Sequence, residues 1–212
     1  MKILDSNEYI NEKLAIQPVT KDRLSDYKKP SVDEVTIRFI KDNNLIWNPV
    51  TKCYDCEDKV IVSKDIVAGG KLKIRFGKID RDFICSYSKL TSLEGAPQNV
   101  GGDFSCGGNY LTTLEGAPQE VGGCFYCSDN NLTTLEGAPN EVIENFDCCY
   151  NNLTSLEGAP KKVGRHFDCS SNNLTTLEGA PNEVGGNFAC GNNPNLVLPK
   201  DKPSWVKGRI IS

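Results

Sequence analysis

The stretch "VGGDFSCGGNYLTTLEGAPQE", residues 100–120, is followed by "VGGCFYCSDNNLTTLEGAPNE", residues 121–141. The same pattern fills most of the chain. Its most constant part, "LTSLEGAP" or "LTTLEGAP", begins every 21 residues, at Leu90, Leu111, Leu132, Leu153 and Leu174. A fixed period of this length is typical of a solenoid, in which each unit packs only on its neighbours. The sequence therefore predicts stacked coils rather than one central core.

Two columns of the repeat predict the inside of each coil. Phe and Cys are separated by one residue, and this alternation predicts a short strand with both side chains inward. Gly and Pro then turn the chain back, so successive strands stack in parallel. The Phe column is Phe83, Phe104, Phe125, Phe146, Phe167 and Phe188. The Cys column is Cys85, Cys106, Cys127, Cys148, Cys169 and Cys190.

The spelling V-x3-F-x-C-x2-N-x-L resembles the L-x2-L-x-L-x2-N-x-L core of leucine-rich repeats with one residue added. "NLTSLEGAP" is similar to the tail of the short bacterial repeats of type III secreted effectors. "LTSLEGAP…VGG…F-x-C" also resembles repeats of leucine-rich-repeat proteins from tailed bacteriophages and their bacterial hosts. The resemblance covers about residues 60–199 and implies a mainly β solenoid of short parallel strands. Phe, Cys and Val replace the usual leucines.

The resemblance also implies a structural role for the asparagines three residues after each cysteine. Such side chains turn inward and bond backbone groups of adjacent coils, which satisfies polar groups that tight turns would leave unpaired. The column is Asn109, Asn130, Asn151, Asn172 and Asn193.

The segments on either side of the repeats, residues 81–199, are expected to cap them. Within residues 31–80, Ser31 and Glu34 have capping-box spacing, and Val32, Val35 and Phe39 have helical spacing. A strand through Val35, Ile37 and Phe39 is the alternative. "VIV" at 60–62, with Leu72 and Ile79, predicts a degenerate first coil. Residues 200–212 lose the repeat, and Trp205 is expected to close the end.

Residues 1–30 form a separate segment. "EYINEKLAIQPVTK" is polar and rich in lysine, with too little apolar periodicity to pack alone. It resembles short leader segments of otherwise unrelated proteins of phages that infect gut Bacteroidetes. We expect a flexible leader or tag.

Ten cysteines in a chain of 212 residues do not predict disulfides here, because six of them follow the repeat. A reduced cysteine packs as a small apolar side chain. No segment has the apolar run of a signal peptide or a membrane span. We therefore expect reduced thiols, no membrane partner, and a bacterial cytoplasmic or virion-associated protein.

Charge is concentrated in the repeats. Residues 81–199 contain 5 Lys and Arg against 14 Asp and Glu, a net charge of −9, whereas the whole chain has −4. An acidic surface repels phosphate backbones, so nucleic acid is not expected on the repeat face. A basic protein surface is favoured.

Catalysis and metal binding find weaker support. Cys149, His166 and Asp168 are all expected to point outward, but strand geometry separates His166 from Cys149 by roughly 13 Å, beyond hydrogen-bond reach. Cys53 and Cys56 have the spacing of half a zinc site but lack partners, and Cys124 and Cys127 would face opposite sides of a strand. We expect no enzyme, no cofactor and no metal.

The variable positions around each Phe and Cys are expected to form the working surface. Tyr126, Asp147 and Asp168 combine an aromatic anchor with acidic groups suited to a basic partner. The sequence thus predicts a non-catalytic protein-binding module; a structural or virion-associated component is the alternative. The predicted binding residues are Asp103, Ser105, Cys124, Tyr126, Asn145, Asp147, Cys149, His166, Asp168, Ser170 and Asn187.

Overall fold

The computed structural model describes residues 31–212, and these form a β-solenoid of about eight coils. One side of the solenoid is an eight-stranded sheet in which every strand runs parallel to its neighbour; we call it the Phe sheet. Its strands are β3 (Val60–Ile61), β7 (Phe83–Ile84), β9 (Phe104–Ser105), β11 (Phe125–Tyr126), β13 (Phe146–Asp147), β15 (Phe167–Asp168), β17 (Phe188–Ala189) and β18 (Ile210–Ile211). The predicted fold class is confirmed.

The second side of the coils contains the valines that lie four residues before each Phe, and it is divided into two sheets. These valines, the Val column, are Val100, Val121, Val142, Val163 and Val184. The first sheet contains β1 (Ile46–Asn48), β2 (Cys53–Cys56), β6 (Phe76–Ile79), β8 (Asn99–Val100) and β10 (Glu120–Val121). The second contains β12 (Glu141–Val142), β14 (Lys162–Val163) and β16 (Glu183–Val184). A 3-10 turn (Lys64–Ile66) and a hairpin of β4 (Val67–Ala68) and β5 (Lys71–Leu72) lie between β3 and β6.

The core runs along the solenoid axis. Every Phe of the column is fully buried, and so are the column cysteines apart from a 2% exposed fraction at Cys190. Neighbouring rings lie 5.0 to 6.0 Å apart between centroids, most of them stacked. Such contacts stabilise aromatic pairs beyond the burial of their area. The predicted inward direction of both columns is confirmed.

The constant "LEGAP" letters build one turn per coil. In the coil of Leu114, the N–H of Ala117 donates to the Leu114 carbonyl over 2.9 Å, and Gly116 has a φ of 87°. A left-handed residue at the third position is the signature of a type II turn, which favours Gly. The preceding Thr113 hydroxyl accepts from the N–H of Glu115. These letters are therefore constant because the turn requires them.

The N-terminal cap contains helix α1 (Glu34–Asp42), so the helix prediction is confirmed over the strand alternative. The predicted Ser31 capping box is wrong: Asp33 caps the helix, and its side chain accepts from the N–H of Thr36. The buried face consists of Thr36, Phe39 and Ile40, whereas Val35 is exposed and Val32 precedes the helix, so only Phe39 of the three predicted residues lies in that face. No helix within residues 31–212 is long and apolar enough to cross a membrane.

Degenerate coils close both ends of the described stack. Val60 pairs with Phe83, and Ile79 pairs with Val100, which confirms the predicted first coil. At the other end the expectation that the repeat is lost was wrong. Ile210 pairs with Phe188 and Val206 bridges to Val184, because "VKGRIIS" retains the V-x3-F-x-C spacing with Ile in place of Phe and Ser in place of Cys.

Trp205 lies over the last Phe of the column, as its predicted closing role requires. Its ring meets Phe188 edge-on at 5.1 Å.

On the Val side, the break between the two sheets occurs at a single residue, Ile143. In four coils the residue after the Val-column residue is Gly, and its N–H donates to the preceding coil, as Gly164 does to Val142 over 2.9 Å. A Cβ on Gly164 would lie 2.0 Å from the Ile143 carbonyl oxygen. Ile143 occupies this position in its own coil and has such a Cβ, and there β10 and β12 are not hydrogen-bonded to each other. Its half-exposed side chain borders an open groove of about 480 Å³.

Candidate functional site: the outer face of the Phe sheet

The buried asparagines hold the strands of the Phe sheet at a fixed separation. The Asn151 amide donates to the carbonyls of Cys148 in its own coil and Cys127 in the preceding coil, each over 3.1 Å. Its Oδ1 accepts from the N–H of Leu132 over 3.0 Å. The predicted structural role is confirmed, and Ser88 takes this position in an early coil, where sequence reasoning missed it.

The column just before each Phe was predicted to contribute binding residues, and in the structure most of its side chains are engaged within the chain. Apart from Cys124, the side chains from Asp82 to Asn187 form a ladder, in which each accepts from the backbone N–H of the equivalent residue one coil further on. The distances are 2.7 to 3.0 Å. The acceptor and donor residues are Asp82 and Asp103, Asp103 and Cys124, Asn145 and His166, His166 and Asn187, and Asn187 and Arg209.

Cys124 was predicted to point outward, yet its exposed fraction is only 9%. It continues the ladder by another route, since the Asn145 amide donates to its sulfur over 3.4 Å. Tyr126 is hydrogen-bonded to the Cys124 side chain, and this bond together with desolvation raises the pKa of the Tyr126 phenol to about 12. Tyr126 remains a neutral, half-buried ring on the outer face.

Asp147 and Asp168 face each other on neighbouring strands, and Tyr126 pairs in register with Asp147 on the other side. Each carboxylate accepts from the backbone N–H two residues further on: Asp147 from Cys149 and Asp168 from Ser170. One carboxylate oxygen of each and the Cys149 sulfur lie within 4.8 Å of one another. These are the residues of the described chain that could hold a metal ion, although metal binding was not predicted.

Ser105 and Ser170 contribute little side chain for a partner to contact. The Ser105 hydroxyl is hydrogen-bonded to Ser86 over 2.8 Å, and both Ser105 and Ser170 are half-buried. Of the predicted binding residues, Tyr126, Asp147 and Asp168 therefore remain the candidates for direct recognition.

Three exposed tyrosines, which the sequence did not predict as binding residues, lie in the segments that directly follow strands of the Phe sheet. Tyr87, Tyr110 and Tyr150 have exposed fractions of 68%, 55% and 64%. Tyr87 and Tyr150 belong to the column two residues after each column Cys, where every residue has a positive φ. That column is Tyr87, Gly108, Asp129, Tyr150, Ser171 and Asn192. Gly, Asn and Asp suit such a conformation, so the two tyrosines are unusual there.

His166 and Cys149, which were predicted to lie apart, interact with different residues. The His166 Nδ1 atom accepts from Asn187, while Cys149 is grouped with Asp147 and Asp168. Burial and the hydrogen bond with Asp147 raise the pKa of the Cys149 thiol to about 12. A nucleophilic cysteine reacts as the thiolate, so this environment opposes a nucleophilic role.

Buried cysteines of the Cys column are also held as thiols. Complete burial raises the pKa of Cys85 to about 12 and that of Cys148 well above its usual range. Cys53 and Cys56 bond different carbonyls, those of Thr51 and Asn43, so the structure does not bring the two sulfurs onto one shared partner.

The acidic side chains of the outer face have no basic partners within the structure. None of the six ion pairs among residues 31–212 includes Asp103, Asp147 or Asp168. On the Val side, by contrast, Lys162 neutralises Glu141 over 3.0 Å and Arg165 neutralises Glu144 over 2.5 Å. The outer face thus carries carboxylates that no Lys or Arg within residues 31–212 neutralises.

Comparison of the chain with protein-family models, with curated proteins and with solved structures gave no significant match.

Proposed function

We propose that this protein is a non-catalytic binding module that recognises a protein through the outer face of its Phe sheet. The observation that carries the proposal is the group formed by Tyr126, Asp147 and Asp168. An aromatic ring and two carboxylates without internal cations lie side by side on a sheet held rigid by buried asparagines. Such a surface suits a basic partner.

The local chemistry supports binding over catalysis. The single His166 uses its Nδ1 lone pair within the ladder, and Cys149 is held as a neutral thiol. Neither residue is arranged to activate the other. The resemblance of the repeats to those of bacteriophage proteins supports a phage or prophage origin, with a host or phage protein as the partner and the bacterial cytoplasm or the virion as its location.

The experiment is affinity capture from bacterial lysate with the tagged chain, run in parallel for the parent and three variants. Tyr126→Ala and Asp168→Lys alter the proposed face. Glu157→Lys makes the same charge change on an exposed turn away from it. We expect one protein to be retained by the parent and by Glu157→Lys, and to be lost with the other two.

The opposite result would reject the proposal. If Tyr126→Ala and Asp168→Lys remain folded and retain the protein while Glu157→Lys loses it, the working surface is the LEGAP side. Circular dichroism of each variant verifies folding before capture.

A further inference from the structure

We infer that the partner is recognised through arginine side chains, which bind between Asp147 and Asp168 and stack on the exposed ring of Tyr150. This inference rests on the proposed function and names the chemistry of its site. It assigns the patch to an extended basic polypeptide segment rather than to any other cation.

The first support is the pairing of like charges. Asp147 and Asp168 are register partners on adjacent parallel strands. Like charges placed opposite each other on neighbouring strands destabilise a sheet. No Lys or Arg within the described residues forms an ion pair with either carboxylate. A cation supplied by a partner would therefore relieve a repulsion that the chain itself leaves uncompensated.

The second support is the orientation of the carboxylates. The Oδ1 of each accepts a backbone N–H, over 2.9 Å for Asp147 and 2.8 Å for Asp168. These bonds fix both side chains. A carboxylate has about four lone pairs, so acceptor capacity remains on both, although the Cys149 thiol is also hydrogen-bonded to Asp147. A guanidinium presents five donors in a rigid plane and can bridge two fixed carboxylates, whereas an ammonium acts as a point charge.

The third support is the aromatic surface beside the carboxylates. Tyr150 follows Asp147 by three residues and is 64% exposed, and Tyr126 pairs in register with Asp147. A guanidinium that contacts a carboxylate can stack on an adjacent ring, and arginine does so more often than lysine. The acid pair and the rings together therefore favour arginine over lysine.

A metal ion is the competing ligand for the same atoms. Asp147, Asp168 and Cys149 are close enough to surround one. A guanidinium needs only the acceptors that are already present.

The test uses the full chain and two fluorescein-labelled peptides that differ only in having four arginines or four lysines separated by serines. Fluorescence anisotropy at low ionic strength measures binding, because screening weakens such contacts. We expect the arginine peptide to bind at least about tenfold more tightly than the lysine peptide. The double variant Asp147→Asn/Asp168→Asn should weaken arginine binding by at least about tenfold, and it keeps both Oδ1 acceptors.

Two control variants separate the site from general charge effects. Glu136→Gln/Glu157→Gln removes the same two charges from exposed positions on adjacent turns and should leave arginine binding within about twofold of the parent. Tyr150→Asn places at this backbone position a residue that Asn192 already shows to be accommodated in the same column. It should reduce the preference for arginine by about threefold.

Equal binding of the two peptides, or equal losses in the Asp and Glu double variants, would overturn the inference. Stoichiometric Zn²⁺ binding by calorimetry that Asp147→Asn/Asp168→Asn abolishes would assign the cluster to a metal and also overturn it. The proposed function is judged separately. The proposed function stands if Tyr126→Ala and Asp168→Lys still abolish protein capture. It falls together with the inference if only Glu157→Lys affects capture.

Discussion

The Nδ1 atom of His166 accepts a hydrogen bond from the backbone N–H of Asn187, 2.8 Å away in the next coil. Asn145 makes the equivalent bond to His166 through an amide oxygen. Chemically different side chains therefore perform one task at this position, which is to accept a hydrogen bond from the following coil.

Replacement of His166 should consequently depend on whether an acceptor is retained. We expect His166→Asn to leave the free energy of unfolding unchanged, and His166→Leu to lower it by about 1 kcal/mol, the usual net value of one hydrogen bond. Denaturant unfolding of both variants measures the difference. Equal stabilities would show that the ladder contributes nothing at this position.

Loss of one stacked ring should cost far more than any change on the turns. Phe146→Ala removes a fully buried side chain, and substitutions of this kind lower the free energy of unfolding by about 3–5 kcal/mol. Glu157→Gln, an exposed change in the same region, should stay within about 0.5 kcal/mol. Urea midpoints compare the two. The reverse ranking would contradict the assignment of inward and outward positions.

Replacement of the buried Asn151 should lower the free energy of unfolding far more than replacement of the exposed Asn152 beside it. Asn151→Leu would leave the N–H of Leu132 without its partner and would remove one of the two amide donors from each of the carbonyls of Cys127 and Cys148. The unsatisfied N–H costs about 1–3 kcal/mol and each lost bond to a carbonyl about 1 kcal/mol, so we expect a loss of about 3 kcal/mol or failure to fold. The exposed Asn152→Leu is the matched control and should remain close to the parent in thermal unfolding.

The buried thiols should make the fold sensitive to alkali. The pKa of Cys85 is raised from 9.0 to about 12, and that of Cys148 is also raised by burial. Their contribution to stability is therefore complete below pH 9 and is lost as the pH rises toward 12. Each such thiol contributes a slope of roughly 1 kcal/mol per pH unit in that window.

Unfolding free energies of the parent and of Cys148→Ala between pH 8 and 11 test this dependence at roughly half-unit intervals. The variant should lose less stability over the window, even though it is less stable at pH 8. Parallel curves would show that Cys148 does not titrate with unfolding. The comparison at each pH cancels the contributions of lysine and tyrosine residues.

The glycines that follow the Val column should tolerate no side chain. Gly164→Ala would place a Cβ 2.0 Å from the Ile143 carbonyl oxygen, so the backbone must shift. We expect a loss of about 1–3 kcal/mol. Ile143→Ala, at the equivalent position of the interrupted coil, should change stability by less than about 1 kcal/mol because the half-exposed side chain has little packing to lose. A larger loss in Ile143→Ala would contradict this account of the break.

The Phe, Cys and Asn columns were predictable because near-identical copies expose what the scaffold keeps constant. The ladder was not, since Asp103, Asn145 and His166 look like free variation when only residue names are compared. Their shared property is a hydrogen-bond acceptor, and it becomes visible only when the neighbouring N–H is placed. The candidate site was accordingly predicted in part: Tyr126, Asp147 and Asp168 remain, while the exposed tyrosines required knowledge of backbone φ.

Ile143 shows the limit of reading repeats by consensus. A consensus treats this residue as a tolerated exception, yet its Cβ coincides with the place where the Val side divides. The C-terminal coil shows the opposite limit, because Val206 and Ile210 keep the apolar spacing after the recognisable letters have gone.

The repeated register between coils also has an evolutionary consequence. Because each Phe pairs with the Phe one coil away, the two surfaces exposed by removing an internal coil have nearly the same shape and hydrogen-bonding groups as the surfaces that were in contact before. The chain can therefore lengthen or shorten by whole coils while each interface remains intact, and the outer face would change its reach in steps of one strand.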